Sequence, residues 1–525
     1  MAKRRQIIEI FAPTLGIKSN TPTTIMDPRA QPYGLNDKML YGVNQKEYGT
    51  ALYTTTLPTL SGPCIALYEA KYAAGTVLQA FSHTGVYKLA SSTWSNDGQV
   101  FTGSADVAHW SGLMYSEKFV YNNGVDHMQV KASVSVTGTA MAACLSPTTH
   151  KAWALAALRE HLCLYHTIEG GTEHPNRVRW SQKGAITATC MTGGTSGYLD
   201  IEDVEGEIQA AAPLGASNAI YSNESIHVQY WVGGTEIYRV QKTVSGIGTP
   251  SRRGVAVWKD VNYFLSSYNF HAYHGGDDLR DIGDPIQQAA FGEINNSALA
   301  TAFVEVDPES EEVLFHVPTT GTNPDTVWVY AINNDSWSKL SRAYKSSGRY
   351  ARADGLTIGE LVGDIGAQTW KFGEYQAKPG AVVRLYGDVS GYVTRYDRTR
   401  FSVHSGGANV PQAFIYETPD LTGANQTDPA SGDKVDFTSY VKRWTQFHVD
   451  LQGVGNANVF YSTDKGGNFT LMKGSPLVLT ATGQSRTLDI DRASACIRFR
   501  ITNTGTYEYA GVVYAAVEFI PQGEY

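Results

Sequence analysis

The stretch from residue 300 to 342 constrains the fold most, because it spells out four antiparallel strands in about 40 residues. Residues 302–306 read as a strand of Val, Phe and Ala, types that suit a pleated, half-buried surface. Asp307-Pro308-Glu309-Ser310 turns, with proline at the second position, where its fixed φ fits a type I turn. Residues 313–317 run back, and a Gly/Pro/Asn loop follows. Residues 327–332 run out, Asn333-Asn334-Asp335 turns, and Ser336-Trp337-Ser338-Lys339-Leu340 returns. Four hairpin-linked strands of this length make one propeller blade.

Other stretches echo the unit loosely. Gly85-Val86-Tyr87-Lys88-Leu89 leads to Ser92-Thr93-Trp94-Ser95-Asn96, and Arg177-Val178-Arg179-Trp180-Ser181 carries the same Trp-Ser pair. Residues 225–232, 236–244, 255–258, 263–266 and 269–273 are successive strands separated by Gly, Asn or Asp. Trp94 and Trp180 stand roughly two blades apart. We therefore expect an all-β chain with a degenerate β-propeller of about six blades over residues 61–397. The 52 glycines, and 31 tyrosines against 18 phenylalanines, agree with strands and turns rather than helices. Residues 152–164 suit a buried hairpin or a helix, and residues 358–362 a short helix.

A chain of 525 residues exceeds one ordinary core, so further domains are expected. Pro13, Pro22, Pro28, Pro32 and Pro58 punctuate residues 1–60, which read as an extended N-terminal arm ordered by what it lies on. From residue 398 a Gly/Asn/Asp-rich loop at 423–433 precedes alternating runs at 444–451, 458–462, 469–472, 486–490, 496–501 and 509–520. Period-two runs at this spacing read as a C-terminal β-sandwich, residues 398–525.

The formal net charge of −8 argues against a protein held to nucleic acid by phosphate contacts. The one dense basic run is Lys3-Arg4-Arg5. Cys64, Cys144, Cys163, Cys190 and Cys496 are scattered, odd in number and without CxxC spacing. Buried thiols in a reducing compartment are expected rather than a disulfide framework or a structural zinc. No apolar run is long enough for a signal core or a spanning helix, so a chain made in a cytosol, and either staying soluble or assembling there, is expected.

Four groups of residues invite a chemical reading. Ser462-Thr463-Asp464-Lys465-Gly466-Gly467-Asn468-Phe469 matches the Asp-box pattern, a hairpin in which Asp464 bonds loop amides, Gly466 takes positive φ and Phe469 packs beneath. A structural staple is expected of it. His271 and His274 differ by an odd step, so on a strand they face opposite sides. His161 and Cys163 share a face, His166 does not, and no fourth ligand is evident. Glu202, Asp203, Glu205 and Glu207 read as a solvated loop, and Glu309, Glu311 and Glu312 as a hairpin tip facing water. No nucleophile elbow, phosphate loop or HExxH motif is present.

One order of segments is familiar. Pro175-Asn176-Arg177-Val178-Arg179-Trp180-Ser181 is followed by Ala219-Ile220-Tyr221-Ser222-Asn223-Glu224-Ser225-Ile226, then Gly246-Ile247-Gly248-Thr249-Pro250. Val261-Asn262-Tyr263-Phe264-Leu265-Ser266, Asn334-Asp335-Ser336-Trp337-Ser338 and Thr357-Ile358-Gly359-Glu360-Leu361 complete the series. This order resembles the tubular tail, or nozzle, proteins of short-tailed (podovirus) bacteriophages, over roughly residues 170–400. The resemblance implies a virion tail protein assembled in the bacterial cytoplasm as a ring, usually of six copies, beneath the portal and adaptor. DNA would leave through its lumen without specific binding. It also implies no enzyme activity, no cofactor, and no catalytic, cofactor-binding or metal-binding residue. Two other expectations stand beside it: a glycan-binding or glycan-hydrolysing tail protein, with Arg, Glu and Tyr converging at the axial mouth of the propeller, or a head–tail connector or stopper.

Overall fold

The computed structural model describes residues 5–11, 15–40, 43–53, 62–90, 93–103, 109–134, 137–140, 151–184, 186, 190–351, 382–424, 426–427 and 434–524. Seven four-stranded antiparallel sheets follow one another along the chain, so the propeller has seven blades, not six. Their innermost strands are Ala66–Tyr72, Ser111–Tyr115, Lys151–Leu158, Ile208–Leu214, Val255–Trp258, Phe303–Asp307 and Tyr344–Ala351. The unit read at 300–342 is blade six, with strands Phe303–Asp307, Glu312–Val317, Thr326–Ala331 and Ser336–Ser341. Residues 152–164 resolve as a hairpin of Lys151–Leu158 and His161–Glu169. The expected helix at 358–362 lies outside the described residues.

One blade is built from strands that are not contiguous in the chain. Blade seven takes three strands from residues 344–397 and its outermost strand, Gly49–Leu52, from the far end of the chain. Thr394 pairs with Leu52 and Asp397 with Gly49 in an antiparallel register. Ring closure is thus made by hydrogen bonds between chain segments far apart in sequence. Trp94 and Trp180, two blades apart as expected, are not equivalent: one lies in the outermost strand of blade one, the other in the third strand of blade three.

The core is correspondingly annular. Every blade interface holds its own cluster of buried side chains, from Phe81, Trp110 and Tyr121 between blades one and two to Cys64, Leu67 and Leu385 between seven and one. The richest lies between blades five and six, where Phe270, Phe315, Tyr330 and Trp337 pack ring against ring. Such pairs prefer offset or tilted contact, and they explain the tryptophans and tyrosines of the repeat without a ligand. An α-helix, Gln287–Glu293, and a 3-10 helix, Asn296–Thr301, join blade five to blade six. Sequence reading missed both.

The C-terminal unit is one eleven-stranded sheet that is bent back on itself and nearly closed. Its spine is the 23-residue strand Tyr440–Ser462. Residues in its first half pair with Tyr509–Glu524 and Gln484–Ser494, and residues 458–462 pair with Arg498–Asn503. The halves face each other across an apolar core, with Phe447 stacked on Phe499 at 3.9 Å between centroids. The first described residues belong here too. Gln6–Phe11 pairs with Tyr509–Glu524, and Asp37–Leu40 with Val43–Lys46 extends the same sheet.

The N-terminal segment is therefore woven through both units, and it carries buried charge into their junction. Lys46 Nζ donates to Asn503 Oδ1 and to the Gly505 and Glu508 carbonyls at 2.9–3.1 Å. Lys38 Nζ reaches Glu312 Oε2 at 2.9 Å, so Glu312 does not face water as expected but sits beneath the arm, 13% exposed. Asp37 is fully buried and accepts from Gln31 Nε2 at 2.5 Å and Asn44 Nδ2 at 3.0 Å, while its Oδ1 has no partner. Burial raises its carboxyl to about 6, against the two hydrogen bonds that pull it down. A folded pKa above the unfolded value means lost stability as pH rises from about 4 to 6, on the order of 1–3 kcal/mol, with the loss complete above 6. Asp37→Asn is expected to remove that slope and to melt higher than the parent at pH 8. Parallel melting curves of the two proteins from pH 4.5 to 8 check it.

Of the cysteines, Cys64, Cys163 and Cys496 are buried thiols, as expected. Cys190 is disulfide-bonded, contrary to the expectation of thiols throughout. Pairing depends on proximity in the fold, which scattered spacing does not reveal. Among the described residues, no helix is long and apolar enough to cross a membrane.

Candidate functional site

The residues singled out in the sequence make local contacts that hold their own turns and strands. In the Asp-box, Asp464 Oδ1 accepts from Ser462 Oγ at 2.5 Å and from the Asn468 amide at 2.9 Å. Those bonds hold its carboxyl down at about 2. Gly466 has φ +84° and Phe469 lies beneath the Arg500 guanidinium, so the loop staples a hairpin of the C-terminal sheet. His271 is buried between Asp281 Oδ1 (2.7 Å) and Ser266 Oγ (2.8 Å), whereas His274 faces solvent on the other side of the strand. His161 Nδ1 contacts the Ser181 carbonyl at 2.6 Å. Burial pushes the Cys163 thiol up to about 12, far from a metal-binding thiolate. Among the described residues, no three His, Cys, Asp or Glu side chains gather as a metal site would need.

Glu205 is more organised than a solvated loop. It accepts from Lys242 Nζ (2.6 Å), Ser245 Oγ (2.5 Å) and the Gly246 amide (2.9 Å), which hold its carboxyl down at about 2. It thereby fixes the start of the connector that leads from blade four to blade five. That connector helps build a site at which side chains of several blades converge. The Thr249 amide bonds the Ser222 carbonyl at 2.8 Å, and a Cβ on Gly248 would lie 2.1 Å from that same oxygen, so only glycine fits. Farther along, Ser251 Oγ donates to the Ala302 carbonyl at 2.5 Å, and the Val304 amide bonds the Arg253 carbonyl at 2.9 Å. Pinned to blade four at one end and to blade six at the other, the connector presents Arg252 and Arg253 at the face where the innermost strands begin.

Two adjoining cavities open there, of about 620 and 290 Å³, and they share His109, Trp153 and Arg252. His109 comes from the start of blade two, Trp153 from blade three, Gln209 from blade four, and Asn296 and Ser297 from the entry to blade six. Arg253 crosses the opening, with Nη1 donating to the Ile65 carbonyl at the start of blade one and the guanidinium 5.0 Å from the Phe303 ring. The Arg252 guanidinium carbon lies over Trp153, 3.3 Å from its centroid, and His166 covers the other face of that indole at 3.5 Å. His166 is held in turn by Glu173 Oε1 at 2.7 Å. Burial lowers both arginines to about 10, so both stay charged at neutral pH. Burial and then the charges of Arg253 and Arg252 push His109 down to about 3, leaving it neutral. Among the described residues, no carboxylate lines either cavity.

Sequence reading passed over this site. Arg252-Arg253 was visible as a basic pair beside a Gly-Thr-Pro turn, but nothing local tells which connectors of a propeller meet at its axis.

No family model matches the chain, and no curated protein does. Among solved structures, the WD40 domain of Neurospora crassa Pan2 is 8% identical with a TM-score of 0.38, over 69% of this chain and 96% of that one. YCF48 bound to D1 peptide is 8% identical with a TM-score of 0.37, over 66% and 96%. The extracellular domain of BT3049 from B. thetaiotaomicron is 6% identical with a TM-score of 0.40, over 88% of this chain and 58% of that one. Likeness this distant carries nothing about function.

Proposed function

We propose that the chain is a structural, non-enzymatic subunit of a short bacteriophage tail, the nozzle or hub of the tube through which DNA leaves. The observation that supports it best is the weave of the N-terminal segment, which supplies strands to the C-terminal sheet and the closing strand of the propeller. A force on either unit is passed to the other through backbone hydrogen bonds, as a tube wall requires. Of the motifs that carry the resemblance, those from Pro175 to Ser338 lie in blades three to six and the connector between blades four and five, and Thr357–Leu361 lies outside the described residues.

The conduit in this reading is not the propeller axis, whose mouth Arg253 spans. It is the lumen of a ring of copies, about six in number, contacting adaptor and portal-side proteins above and fibres or spikes beside or below. A net charge of −8 suits a wall that lets DNA slide, since phosphate neutralisation is what holds DNA. A disulfide at Cys190 suits a particle that works outside the reducing cytoplasm in which it was made. A connector or stopper role would differ only in its neighbours. A glycan hydrolase would need paired carboxylates, and among the described residues none lines the axial cavities.

Tailed particles purified by density gradient from a producing culture are expected to contain the chain at a fixed ratio to the portal protein. Particles that are complete and infectious without it would reject the proposal.

A further inference from the structure

We propose that the axial mouth is an oxyanion site, in which Arg252 and Arg253 grip a phosphate or carboxylate group with His109 beside them. This holds whether or not the chain is a tail protein.

Charge and geometry carry the inference together. Cations drawn even partly out of water in proteins are normally paired, because desolvation without a partner is costly, and Arg252 and Arg253 are both half-buried. Here two charged guanidinium groups from adjacent residues border a cavity, and among the described residues neither is hydrogen-bonded to a carboxylate. Arg253 spends one nitrogen on a neutral carbonyl, and its Nε is buried without a partner. Glu173 and Glu207 act on Arg252 only through their charge, and Glu173 is already engaged by His166. An oxyanion between the two forks would supply the missing charge and accept several hydrogen bonds at once.

The site is also held in place. The stack of Arg252 on Trp153 on His166 fixes the plane of one guanidinium, so little side-chain freedom is lost on binding. Both faces of Trp153 are covered, so the indole is no platform for a sugar ring, and recognition rests on charge. Asn296, Ser297 and Ser267 line the larger cavity and offer neutral hydrogen-bonding groups to whatever carries the anion. That room admits either a free phosphate or a hexuronate entering carboxylate first.

Calorimetric titration of the full chain at fixed ionic strength tests this with inorganic phosphate, sodium glucuronate and glucose. Saturable one-site binding of at least one anion is expected, with no binding of glucose. Phosphate alone binding assigns a phosphate group, glucuronate alone a saccharide carboxylate, and both a general oxyanion site. Arg252→Met is expected to weaken binding roughly tenfold or more, and Arg252→Lys less, since it keeps the charge but not the fork. Arg239→Met, at an exposed arginine paired with Glu236, should leave binding unchanged. An independent readout on the unmutated protein is a melting temperature that climbs with anion concentration. Neither anion binding to cooperatively folded protein, or undiminished binding by a folded Arg252→Met, overturns the proposal.

Discussion

A chain lacking residues 1–52 is expected to lose cooperative unfolding altogether. The deletion removes the closing strand Gly49–Leu52 and, with it, four strands of the C-terminal sheet. Blade seven would then expose the polar backbone edge of residues 393–397, and unpaired edges invite association with other chains. Insoluble protein, or soluble protein with strand-rich circular dichroism but no sharp melting transition, is the predicted result. A single substitution probes the same closure more finely. A Cβ on Gly49 would lie 1.9 Å from the Ser402 carbonyl oxygen, a backbone atom that cannot step aside. Gly49→Ala is therefore expected to cost about 1–3 kcal/mol or more, through overpacking at the seam. A truncated chain that melts as sharply as the intact one would show that closure does not depend on this strand.

The second large effect is predicted at the opposite end of the propeller axis. Asp307 closes the innermost strand of blade six and accepts from Arg384 Nη1 at 2.6 Å, Arg349 Nη2 at 3.2 Å and Ser310 Oγ at 2.6 Å. Burial by itself would raise this carboxyl, but the Arg384 charge and the Ser310 hydroxyl outweigh it and hold it below its usual range. Arg384 is buried, lies 4.2 Å from the Tyr396 ring and has no other carboxylate in hydrogen-bonding reach among the described residues. Asp307→Ala strands that guanidinium and is expected to cost about 3–5 kcal/mol by denaturant unfolding. The double variant Asp307→Ala/Arg384→Met should recover a large part of the loss, because no charge is then left unpaired. Equal losses in the single and double variants would mean that packing around Asp307, and not the ion pair, sets the cost. The sign with pH follows from the lowered carboxyl: its contribution is complete above the unfolded pKa and fades as pH falls through the folded one.

What the sequence made legible is local. Blade six could be read strand by strand because each of its turns is chemically marked: Asp307-Pro308 at one end and Asn333-Asn334-Asp335 at the other, with Asp335 at positive φ as an Asn/Asp turn allows. The closing strand was not legible. Gly49-Thr50-Ala51-Leu52 has no periodicity of its own, and its partner lies more than 300 residues away. The C-terminal runs at 444–451 and 458–462 read as two strands in the sequence; they are one long bent strand serving both halves of the sheet. Buried charge misled most. Glu312 and Lys46 have the look of surface residues, and only the crossing of distant segments shows that one lies under the arm and the other inside it. The axial arginines failed for the same reason, since convergence of blades is a property of the closed ring.

The tail reading is tested most directly by electron microscopy of purified particles carrying a gold or antibody label on this chain. The account predicts label at the distal end of a short tail, in a closed ring around a channel whose lining is not dominated by Lys and Arg. Label confined to fibres, label absent from particles, or a lumen lined mainly by basic side chains would contradict it.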